Sequence, residues 1–231
     1  MGQKTTPENL QIVYEDNHII VVNKRPGDIV QGDKTGDIPL SEIVKQYIKV
    51  KYNKPGNVFL GVVHRIDRPT SGLVIFARTS KALTRLNRIF KDRQIKKTYW
   101  AIVKNPPVPP AGTLVHYLIK NPKKNITTVY EKQVAGAKRA VLHYKTLASS
   151  DTYHLLEIDL ETGRPHQIRT QLAKIGSPVK GDLKYGFARS NRGGGISLLA
   201  REIEFVHPVK KEPLRLTAPY PEDDIWQHFQ F

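Results

Sequence analysis

The stretch His64-Arg65-Ile66-Asp67-Arg68-Pro69-Thr70-Ser71-Gly72-Leu73-Val74-Ile75-Phe76-Ala77 sets one carboxylate among basic residues at the mouth of an apolar run. Arg68 to Gly72 is turn-prone, and Leu73 to Ala77 reads as a short strand buried on both faces. Asp67 is therefore expected in the loop that enters the strand, where a rigid scaffold commonly displays reactive groups.

Upstream, Gln11 to Tyr14 and Ile19 to Val22 read as two strands joined by a tight hairpin over Glu15-Asp16-Asn17-His18, the second ended by Pro26-Gly27. Leu40, Ile43, Val44, Tyr47 and Ile48 recur at helical spacing, with Pro39 suited to a first turn. Downstream, Ser80 is expected to cap a helix with Leu83, Leu86, Ile89 and Phe90 inside and Lys81, Arg85, Arg88 and Lys91 outside. Lys97 to Val103 has strand composition, and the Pro-rich run Asn105 to Gly112 reads as a connector. From Thr113 to Leu160, short apolar segments broken by turn signals such as Asn121-Pro122-Lys123-Lys124-Asn125 predict antiparallel strands. A helix is expected to start at Gln167, strand character returns from Ile196 to Phe205, and Glu222-Asp223-Asp224 can open a short last helix. The pattern predicts an α+β fold, with a tail at 1–10 and one domain over 11–231.

The 231 residues carry a formal net charge of +16, with basic residues spread from Lys24 to Arg215 rather than gathered in one tail. A polyanion, nucleic acid above all, is the natural partner of such a surface. Cysteine is absent, which excludes disulfides, thiolate metal sites and a cysteine nucleophile. No apolar run approaches the roughly 18 residues of a membrane span, and the first residues lack a signal-peptide core, so a cytoplasmic location without membrane attachment is expected. His64 and His166 have no partner at zinc-type spacing, and no carboxylate cluster marks a magnesium site, so no metal is expected.

A second dense segment runs from Glu161-Thr162-Gly163-Arg164-Pro165-His166-Gln167-Ile168-Arg169 through Gly176-Ser177-Pro178 to Gly181-Asp182-Leu183-Lys184-Tyr185-Gly186. Together with the Asp67 segment it resembles the RluA-type family of RNA pseudouridine synthases. That family shows His-Arg-Leu-Asp followed by Thr-Ser-Gly and an apolar strand, then a Gly-Arg-x-His-Gln-Ile-Arg block and Gly-Asp-x-x-Tyr-Gly. Here Ile66 replaces the Leu, Arg25 is inserted into the family's opening Lys-Pro-x-Gly, and Leu199-Ala200 stands where His-Ala is usual. A kinase His-Arg-Asp string is a different pattern, since there Asp follows Arg directly, with an Asn downstream and a glycine-rich loop upstream.

The resemblance implies a pseudouridine synthase fold, with a mixed, mainly antiparallel central sheet, flanking helices and a cleft for RNA, and without an N-terminal S4-type domain. It implies Asp67 as the catalytic carboxylate. Arg169 is then the cation that keeps it ionised and oriented through a planar fork. Tyr99, from the Lys-x-Tyr-x-Ala pattern of Lys97, Tyr99 and Ala101, becomes the aromatic face on which uracil stacks, an interaction typically worth about 1–3 kcal/mol per base. Leu198 is an apolar floor, and Arg65 fills the place of the unstacked base. His64, Arg68, Arg164, His166 and Gln167 complete the implied RNA-contacting set.

The implied reaction detaches uracil from its sugar, rotates it and rejoins it through C5, so it needs no redox cofactor or nucleotide; no Walker loop or dinucleotide fingerprint is present, and Gly193-Gly194-Gly195 reads as a turn. Asp67 attacks the anomeric carbon, attacks uracil, or abstracts a sugar proton; the residues do not choose among these. Structured RNA, ribosomal or transfer, is the expected partner of a monomeric enzyme. The alternatives are a catalytically silent RNA-binding or ribosome-assembly factor, which would not require Asp67, and a glycoside hydrolase, for which the usual paired carboxylates are not apparent.

Overall fold

A computed structural model describes residues 4–33, 35–221 and 224–229, and the chain falls into two compact units. The first comprises Met1–Lys96 and Ala200–Pro219, the second Lys97–Leu199 and Tyr220–Phe231. The described part of the expected tail belongs to the first unit. Thr5 Oγ1 donates to Asp28 Oδ2 at 2.6 Å, Arg25 Nη1 donates to Asn9 Oδ1 at 2.8 Å, and Leu10 packs on the core.

In the first unit β1 (Ile12–Glu15) and β2 (Ile19–Lys24) form the hairpin read from the sequence, its turn closed by Asp16, whose carboxylate accepts the His18 and Ile19 N–H groups at 2.8 and 2.9 Å. After α1 (Leu40–Lys51) and the two-residue β3 (Gly61–Val62) comes β4 (Ser71–Ala77), which pairs antiparallel with β2 and β3 and is buried along its whole length. A 12-residue helix is marginal alone, so α1 depends on burying Leu40, Val44 and Ile48 against Ile20, Val22, Val74 and Phe76, a gain of about 1.5–3 kcal/mol for each large aliphatic chain. Pro39 stands at the N-cap, one place before the first turn. In α2 (Ser80–Lys91) the cap is Thr79, not Ser80: Thr79 is extended, and its hydroxyl accepts the Ala82 N–H at 3.1 Å, the geometry an N-cap needs.

The second unit contains β5 (Ile95–Val103) beyond its first two residues, β6 (Ala111–Asn121), β7 (Ile126–Tyr130), β8 (Lys138–Ser149) and β9 (His154–Leu160). They lie in the order β5-β9-β8-β6-β7, every neighbouring pair antiparallel. The run predicted from Thr113 to Leu160 is thus an antiparallel sheet in which β6 lies between β7 and β8, and β6 begins at Ala111, inside the expected connector. The helix α3 (Gln167–Lys174) turns Ile168 and Leu172 onto a core of Ala101, Leu142, Leu156 and Leu198, and a 3-10 turn follows at Leu183–Tyr185.

The strand β10 (Leu198–Val206) carries the chain back, so that its greater part lies in the first unit, next to β4 in the sheet order and paired antiparallel with β11 (Pro213–Thr217). The last helix, α4, spans Asp224–Gln227. Glu222 and Asp223, expected to open it, lie outside the described residues. The fold is α+β, as the sequence predicts.

Candidate active site

Asp67 occupies the predicted place. The loop between β3 and β4 carries it, half-buried, four residues before the first residue of the strand. Its neighbour Ile66 packs against the core of the first unit, so the residue before the carboxylate is an apolar anchor. On the other side the Thr70 N–H donates to the Asp67 carbonyl at 3.0 Å and closes a turn. Gly72 carries the backbone onward at a φ of +111°, and a Cβ there would lie 2.4 Å from the Ala200 carbonyl oxygen. Only glycine permits that approach of β4 to β10.

The strongest support for this loop is Lys24, at the end of β2 and 1% exposed. Its ammonium donates to the carbonyl oxygens of Arg25, Asp28 and Arg68, each at 2.9 Å. The Gly27 N–H also donates to the Arg68 carbonyl, at 2.9 Å. Burial pushes the Lys24 pKa down to about 7, against the pull of the Asp28 and Asp67 carboxylates. Three carbonyl acceptors match the three N–H bonds of an ammonium, whereas a neutral amine has only two to give. Lys24 therefore ties the end of β2 to the loop and, when protonated, sets a positive charge whose field reaches Asp67.

The other predicted residues of the first unit have separate environments. Arg65 is exposed, Arg68 reaches Asp37 at 2.6 Å, and the His64 ring accepts the Ile75 N–H at 3.0 Å while stacking on Phe90 with ring centres 4.8 Å apart. Part of the His64 ring's bonding capacity thus goes into holding β4 against α2.

In the second unit Arg169 projects from α3 and is almost fully buried. Its Nε and Nη2 donate to the two carboxylate oxygens of Asp182, at 2.6 and 2.8 Å, a two-pronged fork. The Tyr185 ring lies under the guanidinium, its centre 5.1 Å from Cζ. The Tyr185 oxygen accepts the Thr127 N–H at 2.8 Å and lies 2.6 Å from His166 Nδ1. Lys120 Nζ lies 3.0 Å from His166 Nε2, and an ammonium can only donate. That contact makes Nε2 the acceptor and puts the ring proton on Nδ1, facing Tyr185. Burial raises the Tyr185 pKa above its ordinary value, so the phenol stays neutral. Gln167 is spent on local structure, accepting from the Thr162 hydroxyl and the Arg164 N–H and donating to the Val141 carbonyl. Tyr99 on β5 and Leu198 on β10 meet at one core cluster, Leu198 inside it and Tyr99 packed against it.

The sequence pattern described as RNA pseudouridylate synthase matches residues 18–174, which takes in β2, the Asp67 loop and α3. The chain belongs to the RNA pseudouridylate synthase family. It is 34% identical to the ribosomal large subunit pseudouridine synthase D of Xylella fastidiosa, over 93% of this chain and 67% of that one. It is 32% identical to the tRNA pseudouridine synthase C of Yersinia pestis, over 94% of this chain and 88% of the other. The solved structure of human RNA pseudouridylate synthase domain containing 4 shares the fold, with a TM-score of 0.76 and 23% identity over 92% of this chain and 89% of that one.

Within this pseudouridylate synthase, three residues of consequence were not among those singled out from the sequence. Lys24 stood out only as the start of the family-like opening Lys24-Arg25-Pro26-Gly27, because nothing local shows that a lysine will be buried. Asp182 and Tyr185 lay inside the quoted Gly-Asp-x-x-Tyr-Gly, and their part became visible only when the fold brought them to Arg169. Among the described residues no three His, Asp or Glu side chains gather in a way that would hold a metal ion. No helix among them is long and apolar enough to cross a membrane.

Proposed function

We propose that this chain converts uridine to pseudouridine in structured ribosomal or transfer RNA, with Asp67 as the catalytic carboxylate and Arg169 and Tyr99 as the other catalytic residues. The reaction breaks the bond between uracil N1 and the sugar, forms a bond from C5 to the same sugar carbon, passes the C5 proton to solvent and leaves a proton on N1. No electron is gained or lost and no group leaves the RNA. A carboxylate set in a basic loop is suited to begin it, as nucleophile or as base. The observation that carries this reading is the Asp67 loop itself: Ile66 in the core on one side, the Arg68 carbonyl gripped by buried Lys24 on the other, and the carboxylate between them. Arg65, exposed two residues before Asp67, is the side chain proposed to fill the gap left by the extruded base. Leu198 is proposed as apolar floor and His64, Arg68, Arg164, His166 and Gln167 as nearby RNA contacts. The enzyme is proposed to act in the cytoplasm, as a monomer.

Tritium release from RNA transcribed with 5-tritiated uridine tests the reading. Wild-type protein is expected to release tritium from a ribosomal or a transfer RNA pool. Asp67→Asn is expected to bind the same RNA and to lose turnover by about 10²–10⁴-fold or more. Turnover retained by Asp67→Asn would remove the carboxylate from the chemistry. Free uracil as product would replace isomerisation by hydrolysis.

A further inference from the structure

Two segments that lie mostly in the second unit are nearly bare of acidic residues. From Arg93 to Tyr130 there is no Asp or Glu, and between Glu161 and Glu202 the single acidic residue is Asp182, buried in its fork with Arg169. The fold joins these segments. The tip of the β6–β7 hairpin, Asn121-Pro122-Lys123-Lys124-Asn125, is exposed throughout, and Lys184 of the 3-10 turn donates to the Asn125 carbonyl at 3.1 Å. Asn125 adopts a φ of +50°, and its side chain takes a hydrogen bond from Lys120, the residue that also reaches His166. The tip is therefore fastened on two sides to the segment that carries Arg169 and Asp182.

Lys184 and Arg164 meet carbonyl oxygens there, those of Asn125 and Arg139, and not carboxylates. The acidic residues that flank these segments in sequence are occupied elsewhere, Glu131 with Lys174 and Glu161 with Arg139 and His143. The basic face of α2 is the competing surface, but there Arg88 is paired with the Asp92 carboxylate.

We infer that this hairpin tip and the 3-10 turn beside it form a grip for the RNA phosphate backbone, made by Lys123, Lys124 and Lys184. The inference rests on the proposed RNA substrate and adds where that RNA is held. Phosphate contacts of this kind fix register without reading bases, and each cation that neutralises a phosphate releases a counterion. A pre-fastened tip presents its charges without first ordering a loop, which lowers the cost of binding.

The experiment measures binding of ribosomal and transfer RNA pools across a salt series, for wild type and for Lys123→Gln/Lys124→Gln/Lys184→Gln. All three side chains are on the surface, so the variant is expected to fold as wild type does. The triple variant is expected to lower the slope of log affinity against log salt by about two to three, roughly one for each phosphate no longer neutralised. The deficit should appear in KM and leave kcat to the chemistry. An unchanged slope, with wild type binding and modifying RNA, overturns the grip and leaves the enzymatic reading standing. A slope unchanged for RNA but an altered affinity for an acidic polypeptide such as polyglutamate assigns the surface to a protein partner and also overturns it. Wild type that neither binds nor modifies RNA overturns both readings.

Discussion

Replacing Lys24 by Met takes one donor from each of three part-buried carbonyls at once. The Arg68 carbonyl keeps the Gly27 N–H, and an unpaired buried acceptor costs about 1–3 kcal/mol, so the variant is expected to lose about 1–3 kcal/mol. Its pH dependence separates this group from the rest. The folded-state pKa near 7 lies below the ordinary lysine value, so over the interval above 7 the unfolded chain holds the extra proton. The contribution of Lys24 to stability is therefore lowest below about pH 7 and rises with pH through that interval. Urea unfolding of wild type and Lys24→Met at pH 7 and pH 9 should show the wild-type advantage growing with pH. An advantage that is flat or shrinks would mean that the three hydrogen bonds, not desolvation, set the lysine's protonation. Because the Arg68 carbonyl is adjacent to Asp67 in the chain, turnover should fall with the loosened loop while the Asp67 carboxylate remains.

At the scale of elements, α3 depends on a pair that its own sequence does not contain. The Arg169 guanidinium is almost fully buried and shares both oxygens of Asp182. Asp182→Asn takes the carboxylate out of that buried fork, and breaking a buried pair by removing one partner costs about 3–5 kcal/mol. The variant should show a lower denaturation midpoint with an unchanged denaturant slope. A change below about 1 kcal/mol would show that Asp182 is dispensable for holding Arg169. The same elements mark how far sequence reading reaches. The strand β4 was legible because burial on both faces leaves an unbroken apolar run, and α1 and α2 because one-sided burial leaves a helical period. The cap of α2 was misplaced by one residue because Thr79 and Ser80 both carry a suitable hydroxyl, and only the backbone decides between them. Asp67 was legible as a charge inside a turn signal. The pairing of Asp182 with Arg169 and of Tyr185 with His166 was not, since each is made by a return of the chain that no local pattern encodes.

For the whole molecule the net charge of +16 acts on stability and on binding with opposite signs. Charges of one sign repel in the compact state, and salt screens them over a Debye length of about 10 Å at 0.1 M. The division into two compact units is likewise a whole-molecule property, because each unit is assembled from two stretches far apart in sequence that neither composition nor periodicity connects. Screening is expected to raise the melting temperature of the free protein between about 50 and 200 mM monovalent salt. Over the same range RNA association, which gains from counterion release, is expected to weaken on the order of a hundredfold for a footprint of several phosphates. Melting curves and RNA titrations in one salt series should therefore run in opposite directions, and a neutral osmolyte should not reproduce the divergence. A melting temperature that falls with salt would mean that surface ion pairs such as Lys51–Glu15 and Lys145–Glu157 outweigh the repulsion. The excess positive charge would then be held at little cost to the fold, and its use in binding RNA would need no compensating stability elsewhere.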